Sequence, residues 1–440
     1  MEKKTHERLA GSSTQDAGPL VVTAEPETAW TNPGPGLVAL LGLAAVGAGA
    51  AQVTPQIISL PLRTAQVDPR GATTALALVL GIGTVIQLIA YPVIGRASDR
   101  TLARIGRRRP WLFVGALLFL LGSVTMYLAP SIGLMTLGWT INSLGYGATI
   151  VAANAVIADQ YEPDRRGLPS ALVGVGNPTG VVLGLFLAQL MPDSLAAMFF
   201  LPTAVGVVGA CWLALVLRDR RISAQERPSL DVRSIAGTFW VNPVAHPGFA
   251  LALGSRFLLF MGVAAANMYQ VFFIADVLHI HGPAIPRAIF LSQLVGNGTS
   301  LVIAPLVSRL SDRIGRRKPF VITAAIIFAA GLLGVTQAST YGAFLVAYCV
   351  VGIGLGVYLA VDLALVTQLL PDPHDTAKDL GLMNLANSLP ASLIPAVAPA
   401  LLAIGVAAGS DTRNYAALFT FGALTSFVGA LLIIPIRRIR

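Results

Sequence analysis

Two short segments of this chain carry nearly the same pattern of charged residues. One is residues 95–111, GRASDRTLARIGRRRPW, and the other is residues 308–320, SRLSDRIGRRKPF. Each segment joins two long apolar runs, and the corresponding aspartates, Asp99 and Asp312, lie about half the chain length apart. Such a repeat predicts two halves of similar structure. Its place between apolar runs indicates a membrane protein built from duplicated helix bundles.

The composition excludes an ordinary soluble domain. Apolar residues make up 55% of the chain and charged residues only 12%, whereas a soluble domain carries about 25% charged residues. The apolar runs are about 20 residues or longer, so each can cross a hydrocarbon core as a helix. They lack the alternation of barrel strands. The net charge of +9 does not indicate a nucleic-acid partner, because the basic residues flank the apolar runs instead of forming one face.

The sequence predicts an all-α integral membrane protein with twelve transmembrane helices in two pseudo-symmetric six-helix bundles. We expect a disordered tail over 1–35, an N-terminal bundle over 36–217, a central loop over 218–247 and a C-terminal bundle over 248–440. The predicted spans are 36–62, 73–97, 111–129, 132–160, 167–191, 195–217, 248–276, 284–308, 319–337, 340–370, 379–406 and 413–436.

The basic residues also predict the orientation of the chain. Most lysines and arginines fall in the two termini, the central loop and the loops on the same side as these. Positive loops stay in the cytoplasm, so we expect a multi-pass protein of the cell membrane with both termini cytoplasmic. We expect a monomer. Cys211 and Cys349 lie within apolar runs and indicate neither a disulfide framework nor a metal site.

The repeated segments resemble the signature loop of the major facilitator superfamily. The pattern G-x-x-x-D-R…G-R-R stands between predicted spans two and three and again between eight and nine, as in that family. In the second copy Ser308 replaces the leading glycine. The first copy keeps Gly95 and inserts residues 101–104. This inserted form, which ends in Arg-Pro-Trp111, resembles the loop of the glycoside–pentoside–hexuronide/cation symporters and sucrose/proton symporters, and that resemblance implies a sugar or glycoside substrate.

The charged side chains of these segments are predicted to gate one end of the protein. A carboxylate at a helix end accepts hydrogen bonds from a neighbouring helix N-terminus and pairs with guanidinium groups. Such contacts form when the cytoplasmic side closes and break when it opens. The alternative is that the loops only fix topology. The predicted gating residues are Asp99, Arg100, Arg107, Arg108, Asp312, Arg313, Arg316 and Arg317.

Most polar side chains inside the predicted spans are amides, which present donors and acceptors together and suit sugar hydroxyls. Polar residues in membrane helices face the bundle interior, and tyrosines such as Tyr146 and Tyr358 offer aromatic faces for a pyranose. For each amide alone, an interhelical hydrogen bond is the alternative. The predicted substrate-binding residues are Gln52, Gln56, Gln87, Asn142, Asn154, Asn267, Tyr269, Gln270, Gln293, Asn297, Asn384 and Asn387; Asn177 is a further intramembrane amide.

Asp362 is the only acidic residue well inside a predicted span. Asn154 holds the matching place in the first half, because each precedes a proline by the same interval. Our hypothesis is that Asp362 takes up and releases the coupling proton with Arg256 as its switchable partner. The alternative is a permanent structural ion pair, and Na⁺ remains open as the coupling ion. Asp159 and Asp276 lie near span ends, where we expect them to be solvated.

Small residues recur at four-residue intervals in spans five and eight. They are Gly176, Gly180 and Gly184 in the first and Ser292, Gly296, Ser300 and Ala304 in the second. Small residues so spaced allow helices to approach closely. In the family that the chain resembles, these helices meet across the halves, which implies a sliding interface. Close packing within one half is the alternative.

The leading function is secondary active transport by alternating access, as proton-coupled symport of a sugar or glycoside. The alternative is a proton-coupled antiporter that exports drugs or metabolites. Such exporters carry G-P-x-x-G-G in span five, and residues 176–181, GNPTGV, match that motif only in part. We expect neither an enzyme nor a cofactor, because all five histidines lie outside the spans and no nucleophile or ATP-binding motif appears.

Overall fold

The computed structural model describes residues 32–219, 246–315, 317–369, 376–406 and 413–436, and for 363–369 and 376–385 the backbone alone. All regular structure in these ranges is helical. The long helices are α1 Pro35–Val67, α2 Ala72–Asp99, α3 Arg109–Leu128, α4 Ile132–Gln160, α5 Gly167–Leu190, α6 Leu195–Val216, α7 Pro247–Met268, α8 Ala284–Ile314, α9 Lys318–Thr336, α10 Tyr341–Leu369, α11 Thr376–Leu402 and α12 Tyr415–Ile433.

Each predicted span coincides with one of these helices. Within the described residues, eleven helices are long and apolar enough to cross a membrane, and α11 contributes the shorter apolar stretch Ala386–Leu402. The predicted seventh span is α7 followed, after Tyr269, by a short helix, Gln270–Asp276. The prediction of an all-α membrane fold is confirmed.

The first helix widens at an internal proline. Residues Pro55–Ser59 form a π-turn in which the N–H of Leu60 donates to the carbonyl of Pro55. Proline has no N–H to donate to the α-helical pattern. The helix therefore takes up one extra residue in a single wider turn and continues as an α-helix on both sides. The widened turn begins three residues after Gln52 and includes Gln56, and both glutamines belong to the site described below.

The two halves repeat the same helix packing. In the first half α1 packs against α4, α5 and α6, while α4 also packs against α2 and α3, and α3 against α6. The second half repeats these pairs, with α7 against α10, α11 and α12, α10 against α8 and α9, and α9 against α12. The main contacts between the halves, α2 with α11 and α8 with α5, exchange under the same operation. The halves are therefore related by a pseudo-twofold axis.

The repeat extends to single side chains at the helix ends. Arg109, the first residue of α3, donates from Nε to the carbonyl of Ala214 near the end of α6 at 2.6 Å. Lys318, the first residue of α9, donates to the carbonyl of Ile434 just after α12. Each cation supplies partners for carbonyls that a helix C-terminus leaves unpaired. Residues 1–31 and 220–245 lie outside the described residues, so the predicted domain bounds stay predictions.

Among the described side chains, the halves share a hydrophobic core at one end only. We call the end where residues 100–108 and 315–317 lie the basic end, and the other the opposite end. At the opposite end one core joins Leu80 of α2 and Leu185 of α5 to Ile289 of α8 and Ile394 of α11. Phe186 of α5 also contacts Phe290 of α8 there, with ring centroids 5.7 Å apart.

At the basic end each half has its own core. One contains Leu41 of α1 and Val156 of α4, and the other contains Leu259 of α7 and Val357 of α10. Because the shared core of the described side chains is confined to the opposite end, the described part of the structure is closed there and open between the halves at the basic end.

The glycines of α5 pack within their own half. A Cβ on Gly176 would lie 2.6 Å from Cβ of Ala45, and one on Gly180 would collide with the backbone of Val46, both in α1. In α8, Gly296 faces Tyr348 of α10. The sliding interface that the resemblance implied is therefore wrong for these stripes, and the alternative, packing within one half, is confirmed. The reason is that α1 packs closely on α5 and α10 packs closely on α8, whereas α5 and α8 make fewer contacts with each other.

Candidate functional site

A cavity of about 330 Å³ lies between the two halves and is within the usual size of a small-molecule site. Its walls come from α1, α2, α4 and α5 of the first half and from α7 and α11 of the second. The polar and aromatic residues that line it are Gln52, Gln56, Thr84, Gln87, Tyr91, Trp139, Tyr146, Asn177, Phe260, Asn267, Asn387 and Ser388. Five predicted substrate-binding residues are among them, and no acidic side chain belongs to the described lining.

Gln52 is held in place from behind the cavity wall. Asn142, which is fully buried, donates to Oε1 of Gln52 at 2.8 Å, and Gln52 donates to Oγ of Ser143 at 3.1 Å. The predicted residue Asn142 therefore orients a lining amide instead of lining the cavity itself. A side chain fixed in this way loses little rotamer entropy when it binds a ligand.

The first half also presents two tyrosine rings to the cavity. Tyr91 and Tyr146 stack with centroids 6.4 Å apart and planes 29° apart. Gln87 donates to the hydroxyl of Tyr91, and Asn177 donates to the hydroxyl of Tyr146 at 3.1 Å. Oδ1 of Asn177 is buried without a partner among the described residues, as is Nε1 of Trp139. Both atoms lie in the helix packing, where a Cβ on Gly49 would be 2.6 Å from Oδ1 of Asn177 and one on Gly83 would be 2.7 Å from Nε1 of Trp139. What this wall offers to the cavity is two aromatic faces.

The second half contributes a denser amide network. Nε2 of Gln293 lies 2.8 Å from Oδ1 of Asn267, 2.8 Å from Oε1 of Gln270 and 3.1 Å from the Tyr348 hydroxyl. Asn297 donates to Oε1 of Gln293 at 2.8 Å. Asn267 lines both the central cavity and the small cavity beside Gln293. The network connects Asn267 to α8 and α10. Gln293 and Gln270 lie behind Asn267, on the side away from the central cavity.

Of the predicted substrate-binding residues, Asn142, Gln270, Gln293 and Asn297 lie behind or beside the wall of the central cavity, and three others are not placed there by the described side chains. Asn154 is exposed and is absent from the cavity lining. Tyr269 is buried in the shared core at the opposite end, where its ring lies 6.4 Å from that of Phe272. Asn384 belongs to α11, but its side chain lies outside the described residues.

A buried ion pair lies beside the cavity toward the basic end. Nη1 of Arg256 is 2.7 Å from Oδ2 of Asp362, whose exposed fraction is 7%. Nε of the same guanidinium donates to Oδ1 of Asn387 at 2.5 Å, and its Cζ lies 6.0 Å from the ring centroid of Phe260. Asn387 and Phe260 both line the cavity, and the Tyr358 hydroxyl is hydrogen-bonded to Asp362. The pair predicted from the sequence is therefore present and is connected to the cavity wall.

The first repeated segment is organised around Arg108. Its guanidinium is almost fully buried and lies 2.6 Å from Asp99 and 2.8 Å from Asp159, and it donates to Oγ of Ser98. Arg107 pairs with Asp159 at 2.6 Å. Burial by itself lowers the pKa of Arg108, but the ion pairs with Asp159 and Asp99 hold that pKa above its ordinary value. The segment thus joins the end of α2 to the start of α3 and the end of α4.

The two acids expected to be solvated each have a basic partner. Asp159 is the shared partner of Arg107 and Arg108 and is 19% exposed. Asp276 accepts hydrogen bonds from Arg413 at 2.9 Å and from the Tyr415 hydroxyl at 2.5 Å. The expectation was wrong for Asp159, because position near a span end does not show which basic residue the fold brings there, whereas Asp276 is paired but remains 39% exposed.

Asp219, just after α6, also contacts the first repeated segment. Its Oδ2 accepts the backbone N–H groups of Arg108 and Arg109 at the start of α3. Gly106 has φ +108°, and a Cβ there would collide with Asp219. Partial burial of the carboxylate raises the pKa of Asp219, against the backbone hydrogen bonds that lower it. A glycine is therefore required for this carboxylate to cap α3.

The second repeated segment is much more open. Asp312 is 65% exposed, and its carboxylate lies 3.7 Å from Nη2 of Arg317. Arg313 is exposed in the last turn of α8, and Arg316 lies outside the described residues. Arg100, from the first segment, forms the C-terminal cap of α2. Each ion pair described for the two segments joins two residues of one half, and none of these pairs connects the first half to the second.

A sequence model of the Major Facilitator Superfamily matches residues 41–309 and, overlapping these, 253–440. The chain belongs to the major facilitator superfamily. Curated relatives of this chain include the putative transporter YdfJ of Escherichia coli K12, 28% identical over 304 residues, or 61% of this chain and 66% of that protein. Multidrug resistance protein 3 of Bacillus subtilis 168 is 27% identical over 204 residues, or 46% of this chain and 38% of that protein.

The multidrug resistance protein MdtG of Escherichia coli strain 536 is 26% identical over 307 residues, 68% of this chain and 70% of that protein. The chain thus spans just under two thirds of the first of these relatives and much less of the second. Among solved structures, a mutant of the nucleoside transporter NupG superposes with a TM-score of 0.69 at 13% identity, covering 91% of this chain and all of that one. A D-xylose–proton symporter gives 0.68 at 15% identity, covering 92% and 97%. These two structures share the fold.

Sequence reasoning missed five polar or aromatic residues of the cavity wall, which are Thr84, Tyr91, Trp139, Phe260 and Ser388. Tyr91 follows Gln87 by one helical turn, so the two share a face, and this spacing was a usable signal. Trp139 gave no such signal, because a tryptophan in a membrane helix is as easily an interfacial anchor.

Proposed function

We propose that this transporter carries a sugar or glycoside together with a proton, by alternating access. The bundles 36–217 and 248–440 are the two moving units, and the central cavity is their shared binding site. We assign the basic end to the cytoplasm of the cell, together with both termini, because positively charged loops are retained there. In this orientation the structure is open to the cytoplasm.

The cavity chemistry supports a neutral, hydroxyl-rich substrate. Gln52, Gln56, Gln87, Asn177 and Asn267 offer both donors and acceptors, as ring hydroxyls require. The stacked tyrosines of α2 and α4 add faces on which the apolar side of a pyranose can pack. A cationic substrate would find no carboxylate in the described lining.

The observation on which the coupling proposal depends is that one guanidinium holds both Asp362 and Asn387. When Asp362 is ionised, Arg256 is fixed between the acid and the cavity wall. When Asp362 takes up a proton, the attraction is lost, and Arg256 no longer holds Asn387 in one orientation. Proton binding and substrate binding then change the same side chain, which is the differential contact that coupling requires.

The repeated segments supply the gate in this proposal. With the basic end open, Arg107 pairs with Asp159, and Arg108 pairs with Asp99 and Asp159, all within their own half. Closure brings the exposed acid Asp312 and its basic neighbours Arg313, Arg316 and Arg317 toward the first half. A few such contacts are enough to shift two packings that differ by about a few kcal/mol.

The test is uptake of labelled sugars and glycosides into proteoliposomes under an imposed pH gradient or Na⁺ gradient. We expect accumulation driven by the pH gradient, because each unit of pH difference supplies about 1.4 kcal/mol per proton, and a membrane potential would add about 2.3 kcal/mol per charge per 100 mV. Asp362→Asn is expected to exchange substrate but to lose accumulation against a gradient. If Asp362→Asn still accumulates substrate, the Arg256–Asp362 pair has only a structural role and the coupling proposal is refuted.

Export of drugs or metabolites by proton antiport is the second candidate, because relatives of this chain include proteins named for multidrug resistance. The same proteoliposomes distinguish the two functions. Efflux of cationic dyes, together with inertness toward every sugar of the panel, would favour export.

A further inference from the structure

A second cavity lies at the seam between the halves, on the side of α2 that faces away from the central site. It measures about 510 Å³ and is bounded by α2 from Thr74 to Ile86 and by α11 from Ser392 to Pro399. We call it the α2–α11 groove. Its lining is apolar except for Thr74 and Ser392.

The groove is continuous with the surface of α2 that faces the surrounding lipid. Leu78 and Ile82 on its rim are 52% and 46% exposed, and Val85 is 46% exposed. Its floor is formed where the helices touch, since a Cβ on Gly81 would lie 3.6 Å from Cβ of Pro395. In a membrane-spanning protein, the molecules that contact such a surface are the acyl chains of the bilayer.

The length of the groove matches one leaflet. Thr74 lies in the first turn of α2 at the opposite end, and Ile86 lies twelve residues deeper, which is about 18 Å along a helix. Half of a hydrocarbon core is about 15 Å. A chain that enters beside Thr74 therefore reaches the bottom of the groove near the bilayer midplane.

We propose that the α2–α11 groove binds one acyl chain of a phospholipid from the leaflet at the opposite end. The site differs from ordinary lipid contact because the chain is enclosed by two helices, one from each half. Contact with two walls multiplies the dispersion contacts that a chain on a single helix face makes. The bound lipid would thus be part of the seam between the halves.

The test is photo-crosslinking in nanodiscs of phosphatidylethanolamine and phosphatidylglycerol, a small fraction of which carries a diazirine on an acyl chain. After illumination, adducts are mapped by peptide mass spectrometry. We expect adducts on 78–86 and 392–399 to exceed severalfold those on α9, where Ile326 and Leu333 have similar exposed fractions of 47% and 46%. Equal yields per exposed residue on both surfaces would show only ordinary lipid contact and overturn the proposal.

A matched pair of variants sharpens the test. Ala396, on the groove, and Ala330, on α9, are both exposed. Ala396→Trp fills the groove and is expected to lower the adducts on α2 severalfold, whereas Ala330→Trp leaves them unchanged. Gly81→Val narrows the groove from the other wall and replaces Ala396→Trp if that variant does not elute as a folded protein in gel filtration. Unchanged adducts in the folded filling variant would contradict the proposal.

Discussion

At the scale of single residues, a few contacts depend on a buried charge or on the space available for a side chain. Asp219 is the clearest case of charge, because its carboxylate is partly removed from water yet caps the backbone of α3. It links the chain after α6 to the first repeated segment, which no feature of the sequence indicated.

The pH dependence of this contact has a definite sign. Because the pKa of Asp219 is raised in the folded protein, its contribution to stability is full below its ordinary pKa and is lost as pH rises through the raised value. We expect the Tm of the wild type minus that of Asp219→Asn, in detergent, to be more positive at pH 4.5 than at pH 7.5. The reverse order would mean that the hydrogen bonds outweigh burial and that the pKa is lowered.

The glycines of α5 give a matched test of space. Gly180 lies against the backbone of Val46, whereas Gly174 on the same helix has nothing near its missing Cβ. We expect Gly180→Ala to destabilise the protein by about 1–3 kcal/mol through overpacking. Gly174→Ala is expected to be neutral or slightly stabilising, because alanine favours a helix. Thermal unfolding of both variants measures the difference, and equal Tm values would contradict the packing described here.

At the scale of elements, the sequence predicted every long helix but not its partners. Apolar length and flanking charge located the spans, since both are local properties. The stripes of small residues in α5 and α8 indicated close approach to some helix. Which helix it is depends on the arrangement of the whole bundle, and the structure shows α1 and α10.

The contact of α2 with α11 allows this seam to be locked. The Cβ separation of 3.6 Å between positions 81 and 395 falls within the range of disulfides. In a background without Cys211 and Cys349, oxidised Gly81→Cys/Pro395→Cys is expected to stop transport, because the opposite end cannot open. Reduction is expected to restore transport, and each single-cysteine variant is the control. Full transport by the completely crosslinked protein would refute alternating access through this seam.

At the scale of the whole molecule, the two halves share a core at the opposite end and separate at the basic end. Alternating access requires the reverse arrangement as well. The pseudo-twofold relation makes this possible, because the contacts of α2 with α11 and of α5 with α8 are equivalent seams. In the proposed rocking motion, both seams open together at one end and close together at the other.

Two spin-label distances test this motion. One pair joins Leu168 of α5 to Leu306 of α8 at the basic end, and the other joins Leu190 of α5 to Ala284 of α8 at the opposite end; all four residues are exposed. When the substrate is added at low pH, we expect the first distance to shorten and the second to lengthen by several ångströms. Changes in the same direction would exclude rocking.

The sequence alone determined the membrane environment, the helices, the duplication and the presence of one buried acid, because these follow from local composition and from repetition along the chain. Only the tertiary structure decided that Arg256 joins Asp362 to Asn387, that Asp159 and Asp219 hold the first basic segment, and which amides reach the cavity. These are contacts between residues far apart in the chain, and a helix side chain reaches its partner only if the packing of neighbouring helices sets its depth and rotation.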